Sequence, residues 1–393
     1  MSDGGDRDRV RAAAEGVVEG YDAATTPAPS LLAACYDAGL CWVHFPVGLG
    51  GLGLPRALQS VADAVLREAT GFVPTNHNAI GYGMAAPTLL QHAPELAQEL
   101  LRPLATAEHI WCQLFSEPGA GSDVASLATR AVRDGDAWVV TGQKVWTSLG
   151  HVARYALLVA RTDPDVPKHQ GMTYFVLDMH AAGVEVRPLR QITGDPEFNE
   201  VLLTDARIPD SHRIGAVGKG WNVAITTLMN ERTSIGSSPG RGEGTMADAV
   251  ELWAAHPEHR TPILRDRLAR LWIRAEAQRL TGIRGAAATT SAPPGPIGSI
   301  GKLVSAELNV AVYEWCMEFL GPLGALYDGY EPREGYAAGP DAILQRRFLR
   351  SRANTIEGGT SEIMRNILGE RVLGLPADLR ADAGLSWKET RRG

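Results

Sequence analysis

Two stretches carry residue types that could grip a flat ligand with polar edges. The first reads Trp111-Cys-Gln-Leu-Phe-Ser-Glu-Pro-Gly-Ala-Gly-Ser-Asp123. A hydroxyl, a proline turn and small residues there would let backbone come close to a ligand surface. Taken alone, the same residues also suit a tight β-turn. The second, Gly142-Gln-Lys-Val-Trp-Thr-Ser148, sets an indole and two hydroxyls at the end of a strand-like run. A Trp in such a place is commonly core. A third stretch, Gly48-Leu-Gly-Gly-Leu-Gly53, matches the dinucleotide fingerprint, with Glu68 about 20 residues further on. Its context argues against that use. The acid should end a second strand, yet 61–69 has helical spacing and Pro55 suits a helix start. A glycine-rich interhelical loop is expected instead.

Bulk properties narrow the classes. A net charge of −7 argues against nucleic-acid binding, which needs a basic patch. Four cysteines (Cys35, Cys41, Cys112, Cys316) show no C-x-x-C spacing and no nearby His cluster. No disulfide framework and no metal site are expected, and a reducing compartment fits. Residues 1–11 are polar and lead into no apolar signal core. The longest apolar strip, 155–160, is strand-sized and far short of a membrane span. A cytoplasmic enzyme without a membrane partner is expected.

The elements that must position these residues fall into three blocks. Over 9–107 the apolar spacing is helical, as in Leu58, Val61, Ala62, Val65 and Leu66, or Leu96, Leu100, Leu101 and Leu104. Over 110–214 it becomes strand-like. Runs at 137–145, 153–160, 172–177, 184–189 and 200–208 are separated by Gly, Pro and Asp, and Asp134-Gly-Asp136 marks a hairpin turn. Five to seven strands with no helix between them predict an antiparallel barrel or sandwich. Helical spacing returns after Gly220, with Leu264, Leu268, Leu271 and Ala275 on one face and Leu303, Leu308, Val312 and Trp315 on another. The proline-rich stretch 291–298 predicts a loop between two of these helices. This order gives segments 1–107, 108–215 and 216–393, and it is not the alternation of a doubly wound fold.

The two ligand-gripping stretches together resemble the acyl-CoA dehydrogenase family. The resemblance runs on through Arg187-Pro-Leu189, Phe198-Asn-Glu200, Gly218-Lys-Gly-Trp221, Asn230-Glu-Arg232, Gly358-Gly-Thr-Ser-Glu-Ile363 and Arg371-Val-Leu-Gly-Leu-Pro376. It implies an N-terminal α-helical domain, a middle β-barrel and a C-terminal four-helix bundle. It also implies FAD as cofactor, an acyl-CoA thioester as substrate and an electron-transfer flavoprotein or similar acceptor. By this resemblance Phe115, Ser116, Trp146 and Ser148 contact the flavin, with Trp146 flanking its ring. Gly121 and Ser122 meet the CoA thioester arm, and Thr360 and Glu362 touch FAD phosphate and ribose groups. Glu362 is unusual company for a phosphate.

Desaturating an acyl-CoA needs a carboxylate at the α-carbon and donors for the thioester oxygen. In the common subgroup that base stands just before the Gly-Thr near the C-terminus, where this chain has Gly358. A second subgroup carries it on the first helix of the C-terminal bundle, beside an Arg, where this chain has Glu231 and Arg232. The resemblance therefore implies Glu231 as base, with Glu357 as its rival and the Gly358 N–H as an oxyanion donor.

Two departures concern assembly. The Arg-x-x-Phe-Gly segment of homotetrameric members is replaced by Ser237-Ser-Pro-Gly-Arg-Gly-Glu-Gly244, and a Gln-x-x-Gly-Gly-x-Gly segment by Glu318-Phe-Leu-Gly-Pro-Leu-Gly324. Both normally reach a neighbour's FAD. The pattern resembles the catalytic subunit of α2β2 acyl-CoA dehydrogenases of bacterial steroid side-chain degradation, with a homo-oligomer as the alternative. A non-catalytic partner subunit and an acyl-CoA oxidase on the same fold are the other functional readings.

Overall fold

The structure, a computed structural model, describes residues 3–21, 27–71, 74–235, 240–288, 298–327, 343–379 and 382–390. Five helices come first: α1 (Asp3–Glu19), α2 (Ala28–Asp37), α3 (Gln59–Thr70), α4 (Ala86–His92) and α5 (Pro94–Ala105). The predicted stripes are buried, with Val61, Ala62 and Leu66 on α3 and Leu96, Leu100, Leu101 and Leu104 on α5. α3 stops where Gly71 takes a φ of 68°, a left-handed cap. The 48–53 loop leads through Pro55 and a single 3₁₀ turn into α3, and no strand precedes it among the described residues. The dinucleotide pattern there is a coincidence of spacing.

Eight strands follow: β1 (Trp111–Leu114), β2 (Arg130–Asp134), β3 (Ala137–Ser148), β4 (Tyr155–Arg161), β5 (Met172–Asp178), β6 (Val184–Leu189), β7 (Phe198–Pro209) and β8 (Arg213–Ile214). They form one sheet in the order β6-β7-β3-β2-β4-β5-β8, with β1 paired to β4. The expected antiparallel pairing holds for β2–β3, β4–β5 and β5–β8. It fails at β4, where both β1 and β2 run parallel. The β2–β3 hairpin lies between β1 and β4 in the chain and supplies the crossover that a parallel pair needs. One core takes Leu114 from β1, Val140 from β3, Leu158 from β4, Phe175 from β5 and Leu203 from β7, with Val184 and Val186 of β6 packed on it. β6 and β8 are the two ends of the strand order.

The remaining helices are α6 (Gly220–Ile235), α7 (Thr245–Ala255), α8 (Pro262–Ala288), α9 (Gly298–Leu320), α10 (Leu344–Ser351) and α11 (Ser361–Arg371). α9 is the hub, packing on α7, α8, α10 and α11. Its Val312, Trp315, Cys316 and Phe319 meet Leu252 and Leu271 in one core. Residues 291–297 of the predicted interhelical loop lie outside the described residues, as do 237–239 of the altered 237–244 stretch. The four cysteines are buried thiols. Among the described residues no helix is long and apolar enough to cross a membrane. The chain divides into two compact units, one of Met1–Arg187, Asn199–Thr227 and Asp382–Gly393, the other of Pro188–Phe198 and Leu228–Ala381.

Candidate active site

In the first unit a backbone bond joins the two ligand-gripping stretches: the Val145 N–H donates to Ser116 O at 3.0 Å. A buried ion pair, which sequence reasoning did not assign, fixes them. Along β3 the inward positions include Trp138, Val140 and Lys144. Lys144 Nζ donates to Glu117 Oε1 at 2.8 Å, to Phe115 O at 3.0 Å and to Val159 O at 3.0 Å. Glu117 also accepts the N–H groups of Ala128 at 2.6 Å and Thr129 at 2.9 Å. Burial pushes the Glu117 carboxyl up, but Lys144 and these donors outweigh it and hold the group below its usual range. Burial pulls the Lys144 ammonium down, and Glu117 restores part of that. A Lys at an inward position of an alternating strand was the available signal, because an unpaired charge is not tolerated there.

The alternation of β3 breaks at Trp146. Its φ of +61° turns the chain, so that Trp146 is 57% exposed and Thr147 fully buried. A left-handed Trp costs on the order of 1–2 kcal/mol and persists only where its surroundings insist on it. Here Asn199 Nδ2 donates to Thr147 O at 3.3 Å. A Cβ on Gly150 would lie only 3.1 Å from the Thr147 side chain, so the turn is closely packed. The core placement common for such a Trp is thus not adopted, and an indole is held outward. The half-buried Ser116 and Ser148 hydroxyls are bonded to no other group among the described residues. The Phe115 ring is buried edge-on against Tyr174 at 5.9 Å. The Tyr174 hydroxyl lies 2.9 Å from Thr227 Oγ1, itself 2.8 Å from Thr88 Oγ1.

Gly121 and Ser122 are exposed. A Cβ on Gly121 would meet nothing within 4 Å, so the protein itself does not demand glycine there. A ligand lying against the backbone would. The following 3₁₀ turn, Val124–Ser126, starts at Asp123, which accepts from Ser126 Oγ at 2.5 Å.

The second unit holds the other residues singled out from sequence. Glu231, on α6, is 9% exposed; the side chain of Arg232 lies outside the described residues. Gly358 and Gly359 take φ of 63° and 97°, left-handed values that disfavour any residue with a Cβ. The fully buried Lys302 donates to Asn354 O at 3.0 Å and Gly359 O at 2.5 Å, strapping this loop. Glu357 is engaged: it accepts from Arg350 Nη1 at 3.1 Å, Arg350 Nη2 at 3.0 Å and Asn354 Nδ2 at 2.7 Å. Arg350 also grips Glu197. Thr360 caps α11, accepting the Ile363 N–H at 3.2 Å. The Glu362 carboxyl is held low by its own N–H and by the Thr360 hydroxyl. It supplies a negative charge at the helix N-terminus, which the helix dipole stabilises.

Residues 112–205 match the family model described as acyl-CoA dehydrogenase, middle domain, and residues 218–373 the one described as acyl-CoA dehydrogenase, C-terminal domain. The chain belongs to the acyl-CoA dehydrogenase family. Members of this family are FAD-dependent oxidoreductases acting on acyl-CoA. Among curated relatives, acyl-CoA dehydrogenase FadE34 of Mycobacterium tuberculosis is 40% identical over 90% of this chain. This chain spans 47% of FadE34's length, so that relative is much longer. Acyl-CoA dehydrogenase IpdE1 of the same organism is 37% identical, covering 87% of this chain and 86% of the relative. Among solved structures, the ChsE4-ChsE5 complex from Mycobacterium tuberculosis is 26% identical with a TM-score of 0.72, covering 96% of this chain and 98% of that one.

The residues present fit FAD in three respects. An indole is held outward by a strained backbone that the protein maintains. Two hydroxyls beside it lack partners among the described residues. Separately, within the second unit, the buried Ser361 Oγ at the start of α11 has no partner among the described residues.

Proposed function

We propose that this chain opens α,β-dehydrogenation of an acyl-CoA thioester by taking the α-proton onto the Glu231 carboxylate. The observation that carries this reading is the state of the rival carboxylate. Glu357 accepts two guanidinium N–H groups and one amide N–H, so its side chain is fixed in that network and most of its acceptor sites are taken. Position 358, where a base would otherwise stand, takes a φ of 63° that favours glycine. Glu231, 9% exposed on α6, stands at the other family base position.

Ser116, Ser148 and Trp146 hold the flavin's edge and face in this reading, and Thr360 with the first turn of α11 receives its phosphate end. When bound, FAD supplies the acceptor for the β-hydride. Gly121 and Ser122 let the thioester arm lie against backbone. The Gly358 N–H donates to the thioester oxygen as charge builds there. Segments 1–107, 108–215 and 216–393 are the three domains in this reading. A second acyl-CoA dehydrogenase-like chain completes an α2β2 assembly, supported by the missing Arg-x-x-Phe-Gly segment and by likeness to a two-chain complex. An electron-transfer flavoprotein or similar protein takes the electrons.

Glu231→Gln keeps the shape and removes the proton acceptor. The expected loss in kcat is about 10²–10⁴-fold, with flavin content and coenzyme A affinity retained. Glu357→Gln should keep most activity and lose fold stability instead. A reversed ranking of the two variants assigns the base to the 357–360 loop and overturns the reading.

A further inference from the structure

The exposed Gly121-Ser122 pair has little tertiary hold of its own, so its position is set by the residues after it. Those residues are tied to a segment more than 250 positions further along the chain. Lys168 Nζ sits 2.7 Å from Asp123 Oδ2 and 2.6 Å from Asp382 Oδ2, one ammonium bridging two carboxylates. Trp387 is 8% exposed, and its Nε1 donates to Ser126 O at 3.1 Å. The Arg161 guanidinium lies 4.9 Å over the Trp387 ring. The same guanidinium donates to Ala125 O at 2.5 Å and Lys168 O at 2.7 Å. The segment is pinned along its backbone too: Trp387 N–H donates to Val166 O at 2.9 Å and Lys388 N–H to Pro164 O at 3.1 Å.

We propose that residues 382–390 are a strap that positions the 121–127 loop, so that affinity for the CoA moiety depends on Trp387 and Asp382. The inference rests on the reading that Gly121 and Ser122 meet the CoA arm. The strap lies apart from the apolar core of the sheet, whose members do not include Trp387. Releasing it therefore frees a surface loop and leaves the sheet intact. A loop that must be ordered on binding weakens affinity, because its lost freedom is charged against the complex. A substrate already bound is processed at the same rate. Trp387 and Asp382 are positioning residues: they act through Ser126 and Lys168 and touch neither substrate nor flavin.

The test uses the FAD-loaded assembly and free coenzyme A as probe, with Kd measured by calorimetry. Asp382→Asn should raise Kd about threefold, in the range of one partly exposed ion pair. Trp387→Ala should raise it about tenfold, and Trp387→Phe, which keeps a ring under Arg161 but loses the donor to Ser126 O, should fall between that variant and the parent. Flavin content and kcat at saturating acyl-CoA should stay within about twofold of the parent, since only uniform binding is lost. Ser122→Trp checks the underlying reading by blocking the loop directly. If it weakens coenzyme A binding while both strap variants leave Kd unchanged, the strap is refuted and the reading of the loop stands. If Ser122→Trp is also silent, the loop is not at the CoA arm and both fall. Loss of flavin and of kcat in Trp387→Ala, with no change in Kd for Asp382→Asn, would show a purely structural part and overturn the proposal.

Discussion

Lys144→Met tests whether one buried charge organises the flavin-side stretches. The substitution keeps an unbranched chain of similar bulk and removes the ammonium. Glu117, 8% exposed, would keep the N–H groups of Ala128 and Thr129 but lose its cation. Phe115 O and Val159 O would lose a donor each. Breaking a buried pair from one side typically costs about 3–5 kcal/mol, and a carbonyl left with no donor at all would add about 1–3 kcal/mol where water cannot reach it. The N–H groups left on Glu117 offset part of this, so the expected loss is about 3–5 kcal/mol in all. Urea unfolding followed by circular dichroism reads it, at fixed protein and FAD concentration because ligand and subunit binding shift apparent stability. Glu117→Gln combined with Lys144→Met should cost clearly less than the two single losses added, since the two groups share one interaction. The pH dependence has a defined sign. The Glu117 carboxyl titrates below its unfolded value of about 4.5, so its contribution is full above that pH and is lost as pH falls through the folded value. Lys144→Met should flatten this acid limb. A loss below about 1 kcal/mol, the size of an exposed pair, or strict additivity in the double variant, would refute the argument.

Trp146→Gly separates fold from function. The indole is 57% exposed and its φ is +61°, so glycine should change unfolding free energy by no more than about 1 kcal/mol. FAD retention, read from flavin absorbance after gel filtration, should fall sharply; a variant that keeps its flavin would remove Trp146 from the binding surface. The assembly reading is checked by expression alone and beside a homologous chain bearing Arg-x-x-Phe-Gly. The lone chain should retain flavin poorly and the pair well, whereas a stable homo-oligomer with one FAD per chain would count against it. The co-expressed pair should then bleach with one member of a panel of fatty, branched and steroid CoA thioesters.

Much of the fold was legible because periodicity is a local property. The α3 and α5 stripes and five of the eight strands lie where apolar spacing puts them, and the proline at 55 marks the approach to α3. Short β1, β2 and β8 left no period to read, being four, five and two residues long. The parallel pairing at β4 was equally invisible, because strand direction depends on which strand a segment meets and not on its own pattern. Of the candidate site, the ligand-gripping stretches stood out by residue type. The ion pairs that hold them did not, since Glu117–Lys144 spans 27 positions and Arg350–Glu197 spans 153.

The sequence by itself determined the order of helical and strand-rich blocks, the family, and the short list of carboxylates at base positions. Each of these rests on residue types and near-neighbour spacing, which the chain carries wherever it folds. Tertiary structure decided how those residues are used. It turned Trp146 out of β3 through a left-handed backbone that neighbouring packing maintains. It occupied Glu357 with Arg350 and Asn354. It also tied Asp123 to Asp382 through Lys168. A carboxylate's availability and a side chain's exposure depend on what the rest of the chain brings alongside, and those partners come from distances along the chain that no local pattern spans.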